Sequence, residues 1–293
     1  MKYRVTHTTE FVYEARVGLS YNLARLMPRG LPRQQVLSAV LRITPHPQDH
    51  ESALDYFGNR TDYFSIQQPH DELRVTAISE VEVSAPETGL FDQAQNLSWE
   101  EARDHLRADR SAPGIDALQF TLDSPMVVVE DFLADYARAS FSPGRFLDEA
   151  VDDLMRRIFK DFKYDPEFSS IATPLREVMA HRGGVCQDFA HLAIGCLRAQ
   201  GLAARYVSGY LETDPPPGKE RLVGADASHA WFSVYHPVRG WLDFDPTNNQ
   251  QPGERYVTLA WGRDFADVTP LKGVAYGGGE HQLKVAVDVE RIS

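Results

Sequence analysis

Residues 183–192 read Gly-Gly-Val-Cys-Gln-Asp-Phe-Ala-His-Leu, "GGVCQDFAHL". Two glycines close one segment and a cysteine opens the next. Counting from Cys186, positions i+3, i+4, i+7 and i+11 are Phe189, Ala190, Ala193 and Leu197. That spacing draws one apolar stripe along a helix, and Cys186 begins it. Its thiol therefore points toward whatever the helix packs on. Unbonded backbone N–H groups and the positive end of the helix dipole gather at that spot. Such a place favours a thiolate, the nucleophilic form. It also offers amides to an oxyanion formed at an attacked carbonyl.

Cys196, the second of two cysteines, lies ten residues on and reads as a small buried hydrophobe. Ten helical residues span ~15 Å, and a disulfide needs Cα atoms within ~7 Å. Both thiols are expected to be free, which suits a reducing compartment.

Downstream lie three strand-like runs: "ARYVSGYLE" (204–212), "SHAWFSVYH" (228–236) and "GWLDFDPTN" (240–248). On the second, His229, Trp231, Ser233 and Tyr235 share a face. On the third, Asp243 and Asp245 share a face, and Pro246 ends the strand. A hairpin turning at "HPVRG" would make His229 and Asp245 cross-strand neighbours. Periodicity alone does not choose between the two aspartates. Cysteine, histidine and aspartate in this order supply the nucleophile, base and orienting acid of covalent acyl chemistry.

The rest of the chain frames this core. Residues 1–85 read as a small antiparallel β domain. Its strands include "VLSAVLRITP" (36–45), "TDYFSI" (61–66) and "LRVTAISEVEV" (73–83), parted by turn signals at "MPRGLP", "FGN" and "QPHD". Residues 86–125 read as a linker with a short helical piece near "SWEEARDHL". Residues 126–275 form the core, with helices starting at Ser124-Pro125, Ser142-Pro143, Thr173-Pro174 and Cys186. Residues 276–293 end in a strand, "HQLKVAVDVERI", that echoes "DELRVTAISEVEV" (71–83). Two amphipathic strands can look alike by composition, or the chain returns to the N-terminal sheet. The expected class is α+β, with helices packed on an antiparallel sheet.

Composition excludes several functions. With 30 basic and 42 acidic residues the net charge is −12, which disfavours nucleic acid as a partner. No run approaches the ~18 apolar residues of a membrane span, and the first residues lack a signal-peptide core. The expected location is cytoplasmic. Two cysteines do not make a structural zinc site. His181 and His191 lack an H-E-x-x-H frame, no calcium loop is present, and "GGGE" (277–280) is no phosphate loop. No cofactor or metal is expected.

"GVCQDFAHL", "SHAWFSVY" and "GWLDFDPTN" together resemble the three core motifs of the bacterial transglutaminase-like superfamily. Its members are cysteine acyltransferases and proteases with a papain-like triad. "HTTEFVYE" (7–14), "RLMPRG" (25–30) and "DYFGN" (55–59) resemble the β domain that precedes this core in one bacterial subfamily. "AWGRDFADVTPLKGVAYGGGEHQLKVAVDV" (260–289) is similar to that subfamily's tail. The resemblance implies Cys186 as nucleophile, His229 as base and Asp245, not Asp243, as orienting acid. Further cleft or oxyanion candidates are Gln187, Tyr164 of "FKYDP" and Trp231, with Trp241 as a second wall. Asp188 reads as a dipole-compensating acid and His191 as structural. The expected reaction is hydrolysis of a peptide or isopeptide bond in a peptide or protein substrate, through a thioester. The alternatives are transfer to an amine and a non-catalytic module that keeps the fold.

Overall fold

The computed structural model describes residues 1–85, 96–213 and 228–292. Five strands open the chain: β1 (Lys2–Ala24), β2 (Gln34–Thr44), β3 (Asp49–Leu54), β4 (Arg60–Ile66) and β5 (His70–Val83). They form one antiparallel sheet in the order β2-β5-β1-β4-β3. β3 had no sequence signal. All six of its residues are exposed, so no apolar alternation marks it. The 23-residue β1 is the spine of this sheet. Its buried positions run Tyr3, Val5, His7 and Thr9, then Val17 within the irregular stretch, then Ser20, Asn22 and Ala24. Register shifts between Val12 and Leu19 separate the two sets. The bulged stretch moves the inward face from odd to even positions. Tyr3 and Val5 consequently join the main core, whereas Ala24 joins a second cluster with Phe64, Ile66, Leu73 and Val75.

Helices follow: α1 (Trp99–Ala108), α2 (Ala112–Leu118), α3 (Asp131–Ala137), α4 (Leu147–Asp161) and α5 (Leu175–His181). α1 is capped by Ser98, whose Oγ accepts from the Glu101 amide while Glu101 accepts from the Ser98 amide. Its buried residues, Trp99, Ala102 and Leu106, reach two different apolar clusters. α2 adds Ala117 to the second of these. The helix expected from Ser124-Pro125 starts only at Asp131, because Ser124 and Val127 pair as a β-bridge first. α5 is preceded by Pro174 without a side-chain cap, and Thr173 Oγ1 instead accepts from the Ser170 amide.

The two-residue strands β6 (Lys163–Tyr164) and β7 (Gly183–Gly184) pair in parallel and lead into α6 (Cys186–Ala199). The expected one-sided stripe on α6 is only part of its burial. Every residue from Gln187 to Arg198 is buried, because α3, α4 and α5 cover the side that the sheet leaves open. Its polar residues are satisfied within the protein. Arg198 donates to the carbonyls of Phe120, Ala204 and Arg263 and to Ser124 Oγ. His191 accepts from the Phe265 amide, and burial lowers its pKa to about 3, which keeps it neutral.

α6 lies on a second antiparallel sheet made of β8 (Ala204–Leu211), β9 (Ser228–His236), β10 (Gly240–Phe244) and β11 (Tyr256–Gly262), in the order β10-β9-β8-β11. After the short helix α7 (Phe265–Val268) the chain goes back to the first sheet as β12 (Leu271–Gly277) and β13 (His281–Ile292). β13 pairs along the first half of β1, from Lys2 to Tyr13, and β12 along the second half. The tail strand thus closes onto the N-terminal sheet. No helix among the described residues is long and apolar enough to cross a membrane.

The two sheets are joined in a specific way. β11 is an edge strand of the second sheet, so its outer N–H and C=O groups need partners. Two side-chain amides of the N-terminal domain provide them. Gln34 Nε2 donates to the Thr258 carbonyl at 2.7 Å, and Gln34 Oε1 accepts from the Thr258 amide at 2.8 Å. Asn59 does the same at Trp261, with Nδ2 to the carbonyl at 2.8 Å and Oδ1 from the amide at 2.9 Å. Asn59 is itself held by Asp55 and Arg29, which are the residues of "DYFGN" and "RLMPRG". At the other end Glu212 accepts from Tyr3 Oη and from Arg291. Asn59 is fully buried. Asn59→Ala should therefore cost about 2 kcal/mol by stranding both polar groups of Trp261. Urea unfolding would read this as a lower midpoint, and an unchanged midpoint would deny the amide its docking role.

Candidate functional site

Local geometry delivers the thiol to the sheet. β7 places Gly184 beside Asp188, and a Cβ at Gly184 would lie 2.6 Å from Asp188 Oδ2. Only glycine lets the chain pass this close. Asp188 Oδ2 accepts from the Val185 amide at 2.8 Å and from Ser169 Oγ at 2.6 Å. Burial pushes the Asp188 carboxyl up, and these two bonds oppose it. Asp188 is thus a buried anchor for the turn into α6 as well as a first-turn acid. Cys186 follows as the first helical residue, half-buried and packed against the main core. Both cysteines are free, and Cys196 is fully buried with its pKa pushed up to about 12.

His229 stands near the start of β9. Asp245 sits just past β10, where a bridge to Gln250 folds the chain back. The strand register pairs Asp243 directly with Ser233, so Asp245 is a diagonal and not a direct neighbour of His229. His229 Nε2 meets Asp245 Oδ2 at 2.7 Å. That contact leaves Nδ1 as the ring nitrogen available to sulfur. Asp243 instead accepts from Ser233 Oγ.

Asp245 has no solvent exposure, and the chain meets the cost of burying a carboxylate with donors. Oδ1 accepts the amides of Thr247 at 2.9 Å and Asn248 at 3.2 Å. Oδ2 accepts Asn248 Nδ2 at 2.8 Å and Tyr256 Oη at 2.7 Å in addition to the imidazole. Gln250 Nε2 in turn donates to Tyr256 Oη at 2.6 Å. Burial alone would raise the Asp245 pKa, but its bonds to His229, Asn248 and Tyr256 hold it below the usual carboxylate range. For His229, burial disfavours the cation. Hydrogen bonds and attraction from Asp245 and from Cys186 outweigh this, and its pKa is raised to about 10. The imidazolium is therefore the stable form at neutral pH, beside a sulfur close enough to stabilise it.

The other candidates divide. Gln187 donates its amide to the Ile171 carbonyl at 3.1 Å, which commits that nitrogen to the preceding loop and away from the sulfur. Tyr164 is half exposed on β6, and its pKa is raised by burial and by the nearby Cys186. Trp231 is wholly buried, with its ring 6.2 Å from that of His229 and 5.4 Å from that of Tyr256. It is a floor under the imidazole and not an open wall. Trp241 packs against Phe120 and Tyr235. Two members of the constellation carry no sequence assignment. Asn248 stands at the end of "GWLDFDPTN", where a turn residue is the simplest reading. Tyr256 opens a strand that follows the turn dipeptide Pro252-Gly253, the signal that could have marked it. Among the described residues no cluster of three or more His, Cys, Asp or Glu side chains could hold a metal ion.

Comparison with known proteins gives two family matches. Residues 3–82 match the bacterial transglutaminase-like N-terminal region, and residues 134–246 match the transglutaminase-like superfamily. An uncharacterized protein of Mycobacterium tuberculosis is 46% identical, with 98% of this chain covering 92% of it. An uncharacterized protein of Mycobacterium leprae is 32% identical over 99% of each chain. A protein-glutamine gamma-glutamyltransferase of Pseudomonas aeruginosa is 35% identical over 33% of this chain and 15% of its own length. The crystal structure of a candidate cysteine protease from Cytophaga hutchinsonii superposes with a TM-score of 0.77 at 21% identity, over 99% of this chain and 90% of the other.

The charge state of His229 is measurable by NMR. In the wild type its ring should titrate near 10. In Asp245→Asn the value should fall by ~1–3 units, because an adjacent anion is gone and burial remains. A raised folded-state pKa contributes stability that is full below 6.5 and is lost as pH rises through about 10. The melting temperature of the wild type relative to His229→Gln should accordingly shrink across that window. A ring that titrates near 6.5 in both proteins would overturn the assignment.

Proposed function

Because the chain belongs to the transglutaminase-like superfamily, we propose that it is a cysteine enzyme that cleaves amide bonds through a thioester. The observation that carries this reading is the 2.7 Å contact of His229 Nε2 with fully buried Asp245, and the contribution of Cys186 to the raised pKa of the same ring supports it. Cys186 is the nucleophile, His229 the proton carrier and Asp245 the orienting acid. Asn248 and Tyr256 are positioning residues that act through Asp245.

The sulfur attacks the carbonyl carbon, and the carbonyl electrons move to oxygen. The backbone amide of Cys186, at the start of α6, is the donor we assign to that oxyanion. As the electrons return, the C–N bond breaks, and His229 gives its proton to the departing nitrogen. Amine leaves, and a thioester remains on Cys186. Water then attacks, His229 takes a proton from it, and the C–S bond breaks to release the acid and restore the thiolate–imidazolium pair. Peptide or isopeptide hydrolysis is the favoured outcome, since water at ~55 M competes with any amine unless a dedicated acceptor site exists. The fold shared with the Cytophaga protein agrees with it. Transfer to an amine is the second reading, favoured by the partial match to the Pseudomonas glutamyltransferase.

Three measurements test this. Cys186→Ala should lose at least about 10³-fold in turnover of fluorogenic amides while keeping its fold. Iodoacetamide at pH ~6 should label Cys186 and spare buried Cys196, and His229→Ala should slow that labelling about tenfold or more. Added primary amine separates the readings, because new chain termini mean hydrolysis and ammonia release with amine incorporation means transfer. Equal, slow labelling of both cysteines, or turnover that survives in Cys186→Ala, would leave a non-catalytic module.

A further inference from the structure

The face of the second sheet turned away from α6 borders a cavity of about 500 Å³ between that sheet and the N-terminal domain. Neither Cys186 nor His229 lines it. Its walls include Arg205, Trp241 and Asp243 from the sheet, Trp261 from β11, and Arg33 and Phe57 from the N-terminal domain. The side chain of Arg205 governs its chemistry. Arg205 is only 8% exposed, and its guanidinium lies between two indoles, 4.3 Å from the Trp241 centroid and 3.8 Å from that of Trp261. Arg29 lies 3.5 Å over Trp261 and extends the stack.

A buried cation needs an anion or a set of acceptors. Arg205 has one hydrogen bond among the described residues, from Nε to Ser233 Oγ at 3.4 Å. No carboxylate of a described residue comes within 4.0 Å of it. The terminal nitrogens are not sealed in the interior, so they border the cavity. Contrast Arg198, equally buried, which has four oxygen acceptors. Asp243 and Asp116 also line the space. Asp243 already accepts from Ser233, and Gln119 Nε2 already donates to Asp116. Asp243 and Asp116 attract the guanidinium from beyond ion-pair distance, and its only hydrogen bond among the described residues is the long one to Ser233.

We propose that this cavity is a binding site for a carboxylate ligand with an apolar, flat body. The carboxylate pairs in the forked geometry with Arg205, with Arg33 as the second cation, and the body lies against Trp241, Trp261 and Phe57. The cavity also touches Trp231 and Tyr256, the latter hydrogen-bonded to Asp245. An occupant is thereby one residue removed from Asp245.

The test uses intrinsic tryptophan fluorescence of the full chain, since two of its four tryptophans line the stack. The probe is 3-phenylpropanoate, with the uncharged 3-phenylpropanamide as control. The carboxylate should give a saturable change below ~10 mM, and the amide should bind at least about tenfold more weakly. Arg205→Gln, checked for folding by circular dichroism, should abolish the response. If Arg205→Gln does not fold, Arg33→Gln decides, with an expected loss of about threefold or more. No saturable response in the wild type, equal binding of acid and amide, or undiminished affinity in the folded variant overturns the proposal.

Discussion

A carboxylate without solvent exposure has to be surrounded by donors, and in this protein that requirement organises the site. Asp245 gathers two backbone amides, Asn248, Tyr256 and His229. The five donors come from the turn after β10, from β11 and from β9. Satisfying one anion therefore fixes three segments relative to one another. The bond that orients the imidazole also favours its charged form, to which Cys186 contributes as well. Gly184 lets the chain pass against Asp188, which anchors the turn that opens α6 at Cys186.

The N-terminal domain takes part in this arrangement without contributing a reacting group. Gln34 and Asn59 each stand in for a peptide unit and complete the outer edge of β11. β11 carries Tyr256 and Trp261. Docking therefore reaches Asp245 through one residue and the stacked Arg205 through another. Closure of β12 and β13 onto β1 ties the two ends of the chain into the same sheet. The burial of Tyr3, Val5, Val287 and Val289 within the main core makes the domains thermodynamically continuous.

Much was legible in order and pattern. The helix begun by Cys186 and the strands bearing His229 and Asp245 follow from periodicity, because burial on one face repeats at 3.6 or 2 residues. The motif resemblance named the family. Less was legible where a segment lacked a buried face, as in β3, or where every face was buried, as in α6. β11 hid despite the turn dipeptide Pro252-Gly253 ahead of it, because its burial does not alternate with period two. The preference for Asp245 over Asp243 rested on resemblance alone, since both lie on one strand face.

By itself the sequence determined which side chains could do chemistry, which segments could present them, and which functions the charge and composition excluded. Only the tertiary structure decided which groups meet. It placed Asp245 diagonally from His229, recruited Asn248 and Tyr256, turned Gln187 toward Ile171 and left Arg205 stacked between indoles beside an open cavity. The physical reason is range. Periodicity reports burial along one element, whereas hydrogen-bond partners and unpaired charges are settled between elements that lie far apart along the chain.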